Sequence, residues 1–398
     1  METAGLPGHR AVVTKLAPLD HGQDAARVAR TAQLGSRKRR SLLGLFILTA
    51  LLAGCSTRKF GMLTVAPAGV GFVGLTNLSK FTKTLSGEEA VVLTSPEVAT
   101  PFPWKELVVS WNAVLPTNAG LKVEARARYA SRSTAYFTMG LWAEAASRFT
   151  RGSVTGQRDE DGDVKTDTLV LERAATRAQV RLTLLPGDSG RLPEVKFVGL
   201  SFAGAVEGMQ RSNAVAAARG RVLDVPEKSQ LAYEGGREWC SPACVSMVLA
   251  YWADKLGRSE LRYDVPAIAA AVHDRNWPGT GNWPFNTAFA GRFPGMRAFV
   301  TRMADVAQLE AWVVAGVPPV ASVSSDVMNG RTGEVGGGHL VVCVGFTAAG
   351  DVIINDPWPG STASVRRTLP RERFASAWRH SRRTVYLIYP EDRLAFVP

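Results

Sequence analysis

The sequence predicts an α+β protein in which an all-β, sandwich-like half precedes a half that mixes helices with buried strands. In the first half, residues 121–129 alternate strictly between apolar and polar side chains, and residues 180–184 do the same. Such alternation is typical of half-buried antiparallel strands. In the second half, residues 245–252 place four apolar side chains at the spacing i, i+3, i+4 and i+7 of a helix face. Residues 340–346 form the apolar run of a buried strand.

Length and composition indicate a globular protein with two domains. The chain has 398 residues, of which 46% are hydrophobic and 21% are charged, and these values exclude a disordered or collagen-like chain. Since a domain usually spans about 100–200 residues, two domains are expected. We predict an N-terminal extension with a signal peptide at 1–54, a β-rich accessory domain at 55–202, a linker at 203–224 and a second domain at 225–398.

A charged run at residues 158–163 lies between two predicted strands. Its sequence, Arg-Asp-Glu-Asp-Gly-Asp, contains carboxylates that a calcium ion could bind. However, the glycine is misplaced for an EF-hand loop, and no glutamate closes the loop at the required distance. We therefore predict a hairpin turn at this run.

The N-terminal residues have the pattern of an export signal. Four basic residues at 37–40 are followed by the apolar run 42–52 and then by small residues, which is the order found in secretory signals. The run is shorter than the ~20 residues of a transmembrane helix. The ending Leu-Ala-Gly-Cys resembles a bacterial lipobox, which implies that Cys55 is lipidated and becomes the first mature residue. Residues 1–36 precede a complete signal, so we expect translation to start downstream of Met1.

The net charge does not point to a nucleic-acid partner once the signal is set aside. The whole chain has 47 basic and 35 acidic residues and a formal charge of +12. Residues 1–54 hold eight of the basic and three of the acidic residues, which leaves 39 and 32, or +7, for the rest. No cluster of five or six basic residues remains, so we expect a solvated, mildly basic surface. We predict attachment to a membrane through lipid and no nucleic-acid partner.

The second half contains a cysteine in a chemically activating position. Residues 235–239 (Gly-Gly-Arg-Glu-Trp) precede Cys240, and Pro242 follows at a place typical of the first turn of a helix. The predicted helix therefore begins at Cys240. A helix N-terminus stabilises a thiolate and lowers its pKa, and its N–H groups can hold a developing oxyanion. Cys240 is thus a candidate nucleophile.

A candidate base for this nucleophile lies 99 residues further along the chain. Three glycines precede His339, and the predicted strand 340–346 follows it directly. A second short strand ends at Asn355 and Asp356. If the two strands are neighbours, Asp356 can orient the imidazole and stabilise its charged form, with Asn355 as the alternative third residue.

The residues around these positions resemble the papain-like cysteine peptidases of family thirty-nine and its relatives, which include bacteriocin-leader-processing peptidases. The motifs are Trp-Cys-Ser-Pro-Ala at 239–243, Gly-His-Leu-Val-Val at 338–342 and Asn-Asp-Pro at 355–357. The resemblance covers about residues 225–390. The β-rich half in turn resembles the domain that precedes the peptidase in secreted bacterial members.

The resemblance implies a papain-like fold and a role for each of four residues. Cys240 would be the nucleophile, His339 the general base and acid, and Asp356 the residue that orients the imidazole. Gln230 would help to form the oxyanion hole, although it lies ten residues before Cys240, a longer gap than is usual in papain-like enzymes.

These features predict a lipid-anchored, extracytoplasmic cysteine peptidase of the cell envelope that acts on peptides or proteins. Two other functions are left open. The same residues would serve an amidase or acyltransferase acting on cell-wall peptides, and the chain could instead be a non-catalytic envelope binding protein. No cofactor is predicted, and no metal site, because neither His-Glu-x-x-His nor Cys-x-x-Cys occurs.

Two further sets of residues receive more general interpretations. Trp239, Trp283 and Phe285 lie near segments rich in Gly, Pro and Asn and are predicted to line a substrate groove. The alternative is that such aromatic side chains pack against their own domain. Cys244 and Cys343 could face each other, either as a disulfide or as two buried thiols.

Overall fold

The computed structural model describes residues 62–66, 69–87, 90–144, 147–204, 213–331 and 336–392. Within these ranges the chain forms two antiparallel sheets and six α-helices. The first sheet precedes the helices, and the second is interspersed with them, so the predicted α+β class is confirmed. The predicted lipidation site, Cys55, lies outside the described residues.

The first sheet, called the N-terminal sheet, contains ten strands. They are β1 (Met62–Ala66), β2 (Val70–Leu75), β3 (Thr82–Ser86), β4 (Ala90–Thr94), β5 (Val98–Val114), β6 (Gly120–Arg128), β7 (Phe137–Ala143), β8 (Gly162–Lys165), β9 (Thr168–Leu185) and β10 (Glu194–Ala203). Their order is β1-β2-β10-β5-β9-β4-β3, and β6, β7 and β8 branch from this path. The first part of β9 lies between β5 and β8, and its last part lies between β4 and β6. One long strand thus pairs with four others, two along each of its halves.

The alternating segment predicted as a strand is β6. Leu121, Val123 and Ala125 are buried in the core, whereas Lys122 and Arg126 are half-buried. The period of two in the sequence follows from this difference between the two faces of the strand.

The hairpin between β8 and β9 turns at Thr166 and Asp167, so the prediction of a hairpin at residues 158–163 is wrong. Thr166 adopts the left-handed conformation (φ 60°), which lets the two strands pair immediately on either side. The charged run lies before this hairpin. There, the Asp159 carboxylate accepts from the backbone N–H groups two and three residues further on, and this turn directs the chain into β8.

The second sheet, called the C-terminal sheet, has six strands in the order β11-β16-β12-β13-β14-β15. They are β11 (Met296–Arg302), β12 (Val320–Ser324), β13 (Gly338–Phe346), β14 (Val352–Asn355), β15 (Arg366–Leu369) and β16 (Thr384–Pro390). The helices are α1 (Cys240–Leu256), α2 (Val265–Val272), α3 (Trp283–Gly291), α4 (Val306–Val314), α5 (Ser325–Met328) and α6 (Arg371–Arg379). Because β13 and β14 are antiparallel neighbours, the first residues of β13 lie beside the last residues of β14.

Helix α1 begins at Cys240, as the sequence predicts. Pro242 occupies its first turn, where a missing N–H costs no helical hydrogen bond, and Gly257 ends it in the left-handed conformation (φ 66°). All residues from 241 to 253 are buried, whereas the spacing of apolar residues predicted one buried face. The difference arises because α1 is enclosed by β13, β16, α2 and α3.

The side chain of Asn112 on β5 joins the two sheets. Its Nδ2 donates to the carbonyl oxygen of Ala298 on β11 (2.7 Å), and its Oδ1 accepts from the N–H of the same residue (3.1 Å). On this outer strand, the side-chain amide of Asn112 thus provides the backbone N–H and C=O of Ala298 with the hydrogen bonds that a neighbouring strand would otherwise make. Only glycine fits at position 291, because a Cβ there would lie 2.0 Å from Asn112 Nδ2. Beside this contact the rings of Phe72 and Phe299 stack with centroids 4.3 Å apart.

The segment between the two sheets is partly held by the C-terminal sheet. Residues 205–212, within the predicted linker, lie outside the described residues. Further along, the N–H of Leu223 donates to the carbonyl of Val344 (2.7 Å), and Val222 forms an isolated β-bridge with Gly345. A single cluster of buried hydrophobic side chains includes residues of both sheets.

Replacing Asn112 with Ala should lower the free energy of unfolding by about 2–4 kcal/mol, because the buried N–H and C=O groups of Ala298 lose their partners. Urea unfolding followed by tryptophan fluorescence measures the change. Asn77→Ala is the matched control at an exposed 3₁₀-helix cap, where a loss of about 1 kcal/mol or less is expected. Equal losses in the two variants would contradict the docking role of Asn112.

Candidate active site

Cys240 stands at the first position of α1, at the end of a tight glycine loop. Gly235 has φ 77°. A Cβ on Gly236 would lie 1.9 Å from the carbonyl oxygen of Gln230, so both positions require glycine. Trp239 occupies the N-cap position and provides no side-chain acceptor for the first N–H groups of the helix. The Cys240 thiol is half-buried and lies at the positive end of the helix dipole.

His339 is the second residue of β13 and only 6% of its surface is exposed. Its Nε2 lies 2.7 Å from Asp356 Oδ1, and its side chain also hydrogen-bonds Cys240. Because Nε2 faces the carboxylate, Nδ1 is the ring nitrogen left for the thiol. Burial alone would lower the pKa of His339, but hydrogen bonds to Asp356 and Cys240 outweigh it and raise the pKa to about 9. The imidazole therefore favours its protonated form at neutral pH.

Asp356 directly follows β14 and is 2% exposed. Its Oδ1 also accepts from the backbone N–H of Trp358 (3.0 Å), and its Oδ2 accepts from Arg367 Nη1 (3.1 Å). Burial acts to raise the pKa of Asp356, but the hydrogen bond and charge of His339, the Trp358 N–H and Arg367 lower it overall. The carboxylate therefore remains ionised in a buried position.

Asn355, the alternative third residue, points elsewhere. Its Nδ2 donates to the carbonyl of Val225 (3.1 Å), and its Oδ1 accepts from Arg366 Nε (3.1 Å). These contacts hold the segment that leads toward Gln230. Asp356, and not Asn355, is the partner of His339.

Gln230 is fully buried under the loop that precedes Cys240. Its Nε2 donates to the carbonyl oxygens of Gly236 (2.9 Å) and Arg237 (2.8 Å), which uses both amide hydrogens. Among the described residues its Oε1 has no hydrogen-bond partner. To donate to an oxyanion, as predicted, the Gln230 amide would have to break one of these two hydrogen bonds. In the present arrangement Gln230 holds the shape of the turn before the thiol.

The three aromatic residues predicted to line a groove have different positions. Trp239 is half-buried beside Cys240, and Trp283 is half-buried at the start of α3. Phe285 is completely buried, and its ring packs against Trp142 (5.5 Å) and Trp111 (6.1 Å) of the N-terminal sheet. The prediction that Phe285 lines a groove is wrong, because α3 directs this side chain into the core between the sheets.

Trp283 lines a cavity of about 420 Å³ between the β8–β9 hairpin and the C-terminal sheet. Trp277, which is 44% exposed, and Gly281 contribute to the same wall, with Lys165 and Asp167 opposite. Asp167 Oδ2 accepts from the N–H of Trp283 (2.8 Å), and burial raises the pKa of this carboxyl to about 6.

This cavity is connected to the loop that carries the thiol. The Thr280 hydroxyl donates to the carbonyl of Glu238 (2.5 Å), two residues before Cys240, while the next residue, Gly281, lines the cavity. One hydrogen bond thus links the chain beside the cavity to the loop that precedes Cys240.

Two contacts of the site were not found by sequence reasoning. The Ser241 hydroxyl pairs with the Tyr386 hydroxyl on β16 (2.9 Å) in a fully buried position, and Arg367 pairs with Asp356. The sequence contains the adjacent residues Arg366 and Arg367, but it does not indicate which acidic residue each of them pairs with.

Cys244 and Cys343 are free, buried thiols that do not form a disulfide. Cys244 donates to the carbonyl of Leu340 (3.3 Å). Burial is the main cause that raises the pKa of both thiols, well above the usual value for Cys244 and to about 12 for Cys343. Both thiols are therefore protonated at neutral pH.

Within the described ranges, no helix is long and apolar enough to cross a membrane. The same ranges contain no group of three His, Cys, Asp or Glu side chains placed to hold a metal ion.

Comparison with known families agrees with this architecture. Residues 66–203 match the Peptidase C39 N-terminal domain, and residues 222–386 match the Peptidase_C39 like family. The chain thus has a fold of the cysteine-peptidase class at residues 222–386, and a β domain precedes it in the sequence. Over residues 222–386 the chain is similar to the C39-like peptidase family, and the predicted resemblance is confirmed.

Among solved structures, a crystal structure of a C39-like peptidase from Bacillus anthracis is similar to part of the chain. The two are 18% identical, the alignment covers 42% of this chain and 97% of the other, and the TM-score is 0.33. No curated protein matches the chain.

Iodoacetamide should modify Cys240 in the folded protein much faster than Cys244 or Cys343, by about 100-fold or more, because Cys240 is half-buried at a helix start whereas the other two thiols are fully buried and held protonated. Each cysteine is followed through its own tryptic peptide by mass spectrometry. His339→Ala should slow Cys240 labelling at pH 6 by about tenfold, since the protonated imidazole is lost. Labelling of Cys244 as fast as that of Cys240 would contradict this assignment.

Proposed function

We propose that the protein is a cysteine peptidase that hydrolyses peptide bonds through Cys240, His339 and Asp356. The observation that carries the proposal is the continuous hydrogen-bonded chain from a thiol at a helix N-terminus through a buried imidazole to a buried carboxylate. Such a chain activates a nucleophile and supplies a proton donor in the same site.

In the proposed reaction the Cys240 thiolate attacks the carbonyl carbon of the scissile peptide bond. A C–S bond forms, and the protonated imidazole of His339 gives its proton to the leaving amine as the C–N bond breaks. The acyl group remains on Cys240 as a thioester. Water then attacks this thioester and gives a proton to His339, the C–S bond breaks, and the product acid leaves with the thiolate restored.

Backbone N–H groups at the start of α1 would stabilise the oxyanion that forms in both steps. The absence of a side-chain cap on this helix end supports that role. Gln230 would add a donor only after its amide releases one of the two loop carbonyls it now contacts. We therefore assign Gln230 first to the shape of the loop and second to the oxyanion.

The substrate is proposed to extend from Cys240 toward the cavity beside Trp283, with Trp239 and Trp283 as its aromatic borders. The support is the link between Thr280 and Glu238, which joins the wall of this cavity to the loop before the thiol. The β domain would then contribute to substrate binding through the β8–β9 hairpin.

Cys240→Ala should reduce peptide hydrolysis by a factor of roughly 10³ or more, because the nucleophile is lost. A proteome-derived peptide library digested with each variant and analysed by mass spectrometry measures the activity and identifies the products. Cys343→Ala, which removes a buried thiol remote from His339, is the matched control and should retain activity. Unchanged cleavage by Cys240→Ala would refute the proposal, and transferred rather than hydrolysed acyl products would indicate an acyltransferase.

The protein is further proposed to be an extracytoplasmic lipoprotein of the cell envelope, anchored through Cys55. The support is the lipobox pattern in the sequence. Cys55 itself lies outside the described residues. A wild-type protein made in a bacterial host should partition into the membrane fraction and carry a lipid mass on Cys55, whereas Cys55→Ala should not. Fractionation and mass spectrometry of the N-terminal peptide test this, and an unmodified Cys55 on a membrane-free protein would be the opposing result.

A further inference from the structure

Arg367 lies on the edge strand β15, on the far side of Asp356 from His339. Its Nη1 donates to Asp356 Oδ2 (3.1 Å), and its Nη2 donates to Asn329 Oδ1 at the end of α5 (3.1 Å). The guanidinium is therefore held at two points, one of which is the carboxylate that contacts His339. The side chain is 34% exposed, whereas Asp356 is 2% exposed.

The charged and titratable groups that face Asp356 come from three elements. His339 approaches from β13, Arg367 from β15, and the thiols of Cys240 and Cys244 from α1. In the reactive form, the thiolate and the carboxylate carry two negative charges, and the imidazolium and the guanidinium carry two positive ones. Without Arg367 this enclosed group would keep one uncompensated negative charge.

The adjacent residue on the same strand shows that this contact is specific to position 367. Arg366 points to the other side of β15, where it pairs with Glu227 (3.2 Å) and donates to the carbonyl of Val225 (2.8 Å). It also donates to Asn355 Oδ1 (3.1 Å), and it makes no hydrogen bond or ion pair with Asp356. Two arginines of the same strand thus provide a comparison between a site contact and a structural contact.

We propose that Arg367 is a positioning residue that holds the Asp356 carboxylate ionised and directed at His339, and thereby sets the pH range over which the Cys240–His339 ion pair exists. This inference rests on the proposed function of Cys240 and His339. A positive charge beside a group of titrating residues lowers the pKa of each of them. Removing it must therefore move the formation of the ion pair and its loss, which is the deprotonation of His339, to higher pH together.

The experiment measures the pH dependence of Cys240 alkylation by iodoacetamide and of kcat/KM for a peptide identified by the library digest. Arg367→Met should shift both the acid and the alkaline limb upward by about 0.5–1 pH unit. On the acid limb, alkylation at a fixed pH should become roughly three- to tenfold slower. Arg367→Lys keeps the charge and should return both limbs toward the wild-type positions.

Arg366→Met is the matched control, because it removes the same group from the same strand. It should lower thermal stability without moving either limb. Unmoved limbs in Arg367→Met, or the same shift in Arg366→Met, would overturn the proposal. Arg367→Gln is the second variant if Arg367→Met does not fold. It also removes the charge and should shift both limbs upward, and unmoved limbs in it would likewise overturn the proposal.

Alkylation needs no peptide cleavage, so the two hypotheses can fail separately. A shifted alkylation profile in a protein that cleaves no peptide would support the role of Arg367 and refute the peptidase function. Unshifted limbs in an Arg367→Met protein that cleaves peptide normally would refute the role of Arg367 and support the peptidase function.

Discussion

The burial of the Asp356 carboxylate is the constraint on which the geometry of the site depends. A carboxylate removed from water is destabilising unless cations and hydrogen-bond donors surround it. Here they come from His339 on β13, Arg367 on β15 and the N–H of Trp358. Three segments must therefore reach their positions before the charge is tolerated. The same arrangement presents the imidazole to Cys240, so one buried group governs both local stability and chemistry.

The meeting of the thiol, imidazole and carboxylate could be predicted because each follows from a local pattern. A glycine loop before a helix, glycines before an apolar strand and an acid after the next strand all specify backbone positions. Side-chain directions across the fold could not be predicted in this way. Phe285 has the sequence surroundings of a loop, yet α3 turns its ring toward Trp111, and the partner of Arg367 depends on which face of an edge strand each residue occupies.

The two sheets are linked by hydrogen bonds close to the candidate site. Asp167, at the tip of the β8–β9 hairpin, accepts from the first residue of α3, and the loop before that helix contacts the loop that precedes Cys240. The position of the thiol is thereby linked through Thr280 to residues of the other sheet. One cluster of buried hydrophobic side chains also includes residues of both sheets.

The amide of Asn112 has a consequence for the order in which the molecule is made. Its partner, Ala298, lies 186 residues later in the sequence, so roughly ten to forty seconds of synthesis separate the two at ordinary elongation rates. During that interval the nascent β half lacks the partner of the Asn112 amide and the ring that covers one face of Phe72. The C-terminal half produced alone would have the complementary defect, since Phe285 and Phe299 would lose the rings of the β half that cover them.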